Sequence, residues 1–97
     1  MACRTLRVRG RVQGVGFRDA CVDAARRAGL AGWVRNRGDG SVELLIAGES
    51  AQLDAFTAWL RHGVPLARVD AIESIDAAGS VDADLRSLDG FERRPTA

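Results

Sequence analysis

The chain has 97 residues, 46% apolar and 28% charged, with a formal net charge of +1. That length suits one hydrophobic core and not two, and the composition is ordinary for a globular domain. No apolar run reaches bilayer-spanning length, the N-terminus lacks the apolar stretch of a signal peptide, and the near-zero charge does not point to nucleic-acid or membrane binding, so a cytoplasmic location is expected.

From Arg4 to Val12 the residues alternate. Leu6, Val8, Gly10 and Val12 share one face and Arg7, Arg9 and Arg11 the other, which predicts a half-buried strand with a basic outer side. Gly14 and Gly16 then allow a tight turn into a helix predicted from about Arg18 to Ala28. Ala20, Cys21, Ala24, Ala25 and Ala28 form its narrow apolar face, and Gly29 its C-terminal stop.

Leu30 to Arg37 reads as a second strand, Gly38-Asp39-Gly40 as a hairpin turn, and Ser41 to Ala47 as a third strand with Val42, Leu44 and Ile46 on one face. Ser50 is the expected N-cap of a second helix, about Ala51 to His62, with Leu53, Phe56 and Leu60 buried and Gly63 and Pro65 ending it. Arg68 to Asp76 is a fourth strand whose imperfect alternation suggests a bulge. Residues 77–90 read as an excursion, Phe91-Glu92-Arg93 as a possible short strand, and Pro95-Thr96-Ala97 as a frayed end. The order β-α-β-β-α-β, with two helices on one face of an antiparallel sheet, is the ferredoxin-like sandwich, expected here as a single domain over residues 1–97.

Fold alone does not name an activity. The single histidine, His62, sits at a helix end. Cys3 and Cys21 lack metal or redox spacing, and no serine or cysteine occupies a recognisable nucleophile motif. What remains is a Gly-x-Gly loop running into a helix, where main-chain N–H groups and the helix dipole can seat an oxyanion. Arg18 stands at the helix entrance with a planar fork suited to phosphate oxygens. Asn36 closes the second strand and can both accept from a water and donate to a substrate oxygen. Such a set suits hydrolysis of an acyl phosphate, whose carboxylate leaves without a general acid because its conjugate acid has a pKa of roughly 4.

These residues carry a family resemblance. Gly10-Arg11-Val12-Gln13-Gly14-Val15-Gly16-Phe17-Arg18, then Gly32-Trp33-Val34-Arg35-Asn36, Asp39-Gly40-Ser41-Val42-Glu43 and Gly90-Phe91, resemble acylphosphatase along essentially the whole chain. A small standalone member of that family is expected, rather than the related domain that opens hydrogenase-maturation carbamoyltransferases. The resemblance implies that Gln13, Gly14, Val15, Gly16, Phe17 and Arg18 form a phosphate cradle, with Arg18 catalytic and Asn36 orienting the attacking water. It also implies no metal and no cofactor. The expected partners are a small-molecule acyl phosphate and the phosphate ion, without nucleic acid or membrane, in a monomer. Two departures stand out: Asp19 and Cys21 follow Arg18 where many relatives carry aromatic or bulkier residues, and the run Glu92-Arg93-Arg94-Pro95 lacks the apolar residue expected two places after Phe91. The alternative from another class is a non-catalytic anion- or RNA-binding module using Arg7, Arg9 and Arg11, although the third strand lacks the stacking aromatics of an RNA-binding sheet.

Overall fold

The computed structural model describes residues 2–76 and 90–97. The elements are β1 (Ala2–Arg11), α1 (Phe17–Arg27), β2 (Ala31–Asn36), β3 (Val42–Gly48), α2 (Ser50–His62), β4 (Arg68–Asp76) and β5 (Phe91–Arg93). The strands form one sheet in the order β4-β1-β3-β2-β5. β1 pairs antiparallel with β3 and β4, and β2 pairs antiparallel with β3. The last short strand differs in direction, since β5 runs parallel to β2 with Phe91 opposite Gly32. The architecture is the expected ferredoxin-like sandwich, its sheet mixed only at this edge. The expected excursion before Gly90 lies outside the described residues.

β3 is central because both its faces are covered. Val42, Leu44 and Ile46 enter the core shared with Leu6 and Val8 of β1, Cys21 and Ala25 of α1, and Leu53, Phe56 and Leu60 of α2. Leu45, on the other face, is also buried, near Trp33 across the pair. The expected bulge is present. The β1–β4 register slips between Arg9 and Gly10, so Asp70 is passed over between Val69 and Ala71.

The small residues of α1 let it lie close to the sheet, and Phe17, read at first as part of the loop, is its first buried anchor at 1% exposure. Ala28, expected on the buried face, is exposed instead. The helix stops in a Schellman arrangement: Gly29 N–H bonds to Arg26 O at 3.2 Å and Leu30 N–H to Ala25 O at 3.0 Å. The N-cap of α2 is Glu49 rather than Ser50. Gln52 decides this, because its Oε1 accepts from Glu49 N–H at 2.9 Å while its Nε2 donates to Ala28 O at 3.1 Å, tying the start of α2 to the end of α1. Gly63 ends α2 for a packing reason: a Cβ there would lie 2.2 Å from the Trp59 ring.

The C-terminal residues do not fray. Arg94 N–H bonds to Val34 O at 2.9 Å, Ala97 N–H to Asn36 O at 3.0 Å, and Gly38 N–H to Ala97 O at 3.2 Å. The tail therefore continues along β2 as far as the hairpin. No helix among the described residues is long and apolar enough to cross a membrane.

Candidate active site

The loop between β1 and α1 is turned by Gly14 at φ 76° and Gly16 at φ 77°, with no positive φ at Val15 between them. Such alternation swings successive N–H groups toward one side. Gly16 is also the N-cap of α1 and has no side chain with which to cap it. The first helical bond is Ala20 N–H to Gly16 O at 3.1 Å, so the N–H groups of the first turn have no acceptor within the helix. The positive end of the helix dipole adds to them. A Cβ on either glycine would meet nothing within 4 Å, which leaves backbone conformation as the reason for glycine. Gly16→Ala should therefore destabilise the fold by about 1–2 kcal/mol. Each kcal/mol corresponds to a Tm fall of about 4–8 °C in a domain of this size, readable by thermal unfolding.

A cleft of about 190 Å³ opens in front of this loop, lined by Val12, Gly14, Gly16, Phe17, Arg18, Asp19, Asn36 and Arg93. Of the residues expected in a phosphate cradle, Gly14, Gly16, Phe17 and Arg18 meet here, together with Asn36. Arg18 is half-buried, and its guanidinium makes no hydrogen bond or ion pair among the described residues. Asn36 is fixed through its main chain by pairing with Val42 and by the Ala97 N–H. Its side-chain Oδ1 is buried and accepts no hydrogen bond among the described residues. An acceptor in that state is one for which a bound molecule is the natural donor.

Gln13 and Val15 do not line the cleft. Gln13 Nε2 donates to Arg37 O at 2.8 Å and Ser41 O at 2.9 Å, clamping the loop to the β2–β3 hairpin beside Asn36. Val15 packs against the core. Both shape the loop from behind. Among the described residues no three His, Cys, Asp or Glu side chains come together as a metal site would require. Cys21 is buried, and desolvation pushes its thiol far above the usual range, which makes it inert packing.

With this geometry in place, the likeness to known proteins is specific. The acylphosphatase family model matches residues 4–92. The chain is 49% identical over 96 residues to acylphosphatase 1 of Ralstonia nicotianae, covering 99% of this chain and 90% of that one. It is also 49% identical over 96 residues to an acylphosphatase of Azoarcus sp., covering 99% and 92%. The crystal structure of acylphosphatase from Bacillus subtilis superposes with a TM-score of 0.85 at 35% identity, covering 97% of this chain and 99% of that one. The chain belongs to the acylphosphatase family. It is accordingly a hydrolase.

In this acylphosphatase-family chain the outer face of the sheet is basic but largely neutralised. Glu43 Oε1 accepts from Arg35 at 2.7 Å and Arg37 at 3.1 Å, and its Oε2 from Arg7 at 3.3 Å. Arg9 pairs with Glu73 and Asp39. Arg35 and Arg94 lie over the Trp33 ring, at 4.7 and 5.1 Å from its centroid. Hydrogen bonds from the Ser41 hydroxyl and N–H hold the Asp39 carboxyl down at about 2.

Burial pushes the Glu43 carboxyl up, but hydrogen bonds and charge from Arg35 and Arg37 outweigh it and hold the group below its ordinary 4.5. A depressed folded value means that the stabilisation is complete above pH 4.5 and is lost as the pH falls through the lower, folded value. Glu43→Gln should cost about 2 kcal/mol at pH 7. The gap to the native chain should close as both are acidified below pH 4.5, as chemical denaturation across that range will read out.

Arg93 is the cleft residue that reading the sequence did not place. Its only signal there was a charge where a core-facing strand wants an apolar side chain. Asp19, whose charge would oppose an anion in the cleft, is paired with Arg93 at 2.9 Å.

Proposed function

We propose that the protein hydrolyses acyl phosphates to a carboxylate and inorganic phosphate. The observation that carries this reading is the convergence on one small cleft of three groups: an unpaired guanidinium from Arg18, a glycine-turned helix N-terminus, and the donorless amide oxygen of Asn36. Arg18 and the main-chain N–H groups from Gly14 to Arg18 hold the phosphoryl oxygens. Asn36 Oδ1 accepts a hydrogen bond from one water and directs that water's oxygen at phosphorus.

The water oxygen bonds to phosphorus while the bridging P–O bond breaks, its electron pair leaving with the carboxylate. Both water protons end on the phosphate, giving dihydrogen phosphate. The leaving carboxylate needs no proton, since its conjugate acid has a pKa of roughly 4. What the protein supplies is position and positive charge, the dominant contributions in phosphoryl transfer. The scheme uses no metal and no cofactor.

The alternative, an RNA-binding sheet, lacks support on the outer face. β3 offers no aromatic for base stacking, and Arg7, Arg35 and Arg37 are committed to Glu43. The test is phosphate release from benzoyl phosphate with inorganic phosphate as inhibitor. Turnover above the spontaneous rate with competitive inhibition supports the reading. Folded protein without acceleration refutes it.

A further inference from the structure

Arg93 follows Phe91 by two residues on β5, so both side chains emerge on the same, helix-side face. Phe91 fills the core at 2% exposure, whereas Arg93 reaches the first turn of α1 and donates from Nη1 to Asp19 Oδ1 at 2.9 Å. The main chain that delivers it is held on both sides, by Gly32 N–H to Gly90 O at 3.0 Å and Arg94 N–H to Val34 O at 2.9 Å. Arg26 Nε adds a bond from α1 to Phe91 O at 3.1 Å. A rigid edge strand therefore sets a second guanidinium at a cleft that already holds Arg18. The Arg93 side chain is 50% exposed and that of its Asp19 partner 74% exposed. An ion pair so exposed is weak, so a substrate anion can compete for the same donors at little penalty. A guanidinium has five N–H donors, and Asp19 occupies a minority of them.

We infer that Arg93 is a specificity-determining residue that receives a second anionic group carried on the acyl part of the substrate. This rests on the acyl-phosphate reading of the cleft. The phosphoryl group takes the loop and Arg18, while Arg93 arrives from a different element at the edge of the sheet. Asp19 keeps its guanidinium over the cleft when no substrate is bound. The ligand class is an acyl phosphate bearing a further carboxylate or phosphate.

The test compares benzoyl phosphate with 3-carboxybenzoyl phosphate, in the native chain and in the double variant Asp19→Asn with Arg93→Gln. The double change keeps the net charge of the pair at zero while removing the guanidinium, so a general field effect is held constant. The ratio of kcat/KM for the carboxylated substrate to that for benzoyl phosphate should fall about tenfold in the variant, the scale of one lost charge-assisted bond. An unchanged ratio, with both rates falling together or neither, overturns the inference. A second readout needs no variant. In the native chain, 2-carboxyethylphosphonate should inhibit benzoyl phosphate hydrolysis at about tenfold lower concentration than propylphosphonate. Equal inhibition constants overturn the role of Arg93. If the native chain does not hydrolyse benzoyl phosphate at all, the acyl-phosphate reading falls and this inference with it. Turnover without the preference removes Arg93 alone.

Discussion

Arg18→Ala should lower kcat/KM for benzoyl phosphate by about 1,000-fold or more. Removing one preorganised donor from a site of this type costs about 10²–10³ in rate, and a charged, bidentate donor costs more than a neutral one. In this cleft the loss is not easily covered. Of the two guanidiniums at the cleft, that of Arg18 has no partner among the described residues, while that of Arg93 is engaged by Asp19. Arg18→Lys should also fail by at least about tenfold, because a point charge cannot reproduce a planar fork on two oxygens. Arg18 is half-buried and its side chain bonds to no group among the described residues, so the unfolding midpoint should stay close to native. Steady-state kinetics on folded variants decide the matter. An Arg18→Ala enzyme within tenfold of native would take Arg18 out of the mechanism.

The second large effect is expected at Asn36, with a different signature. Asn36→Ala should reduce kcat by about 100-fold or more while the inhibition constant of inorganic phosphate stays within about threefold. The amide is assigned to the water and not to the phosphate, so its loss falls on the chemical step. Asn36→Asp sharpens the distinction, because it keeps an acceptor but sets a negative charge in the phosphate cleft. Both kcat and phosphate affinity should then fall. A variant that loses phosphate affinity while keeping kcat would show that Asn36 binds the ground state and does not direct water.

Most of the fold was legible because its signals are local. Alternation in Leu6, Val8 and Val12 and in Val42, Leu44 and Ile46 marked the core faces, and Gly29 and Gly63 marked the helix ends in the right places. Even the Asp70 bulge showed, as a break in the phase of β4. What was not legible depends on residues far apart in the chain. β5 lies parallel to β2 because Gly90 and Arg94 bond to Gly32 and Val34, which no local pattern encodes. The α2 cap moved to Glu49 because Gln52 reaches both Glu49 and Ala28.

The candidate site divides along the same line. Gly14, Gly16, Arg18 and Asn36 follow from turn and helix-entry chemistry with a family resemblance, and they meet in one cleft. Gln13 belongs to the same motif, yet its amide serves the hairpin carbonyls of Arg37 and Ser41. Arg93 stands 75 residues from Arg18 in the chain. Only the pairing of β5 with β2 brings it to the cleft.

The most direct test of the account is hydrolysis of benzoyl phosphate with excess chelator present, comparing the native chain with Arg18→Ala. Acceleration that survives the chelator and is lost in the variant is the predicted result. Turnover that the chelator abolishes, or that persists undiminished without Arg18, would contradict it.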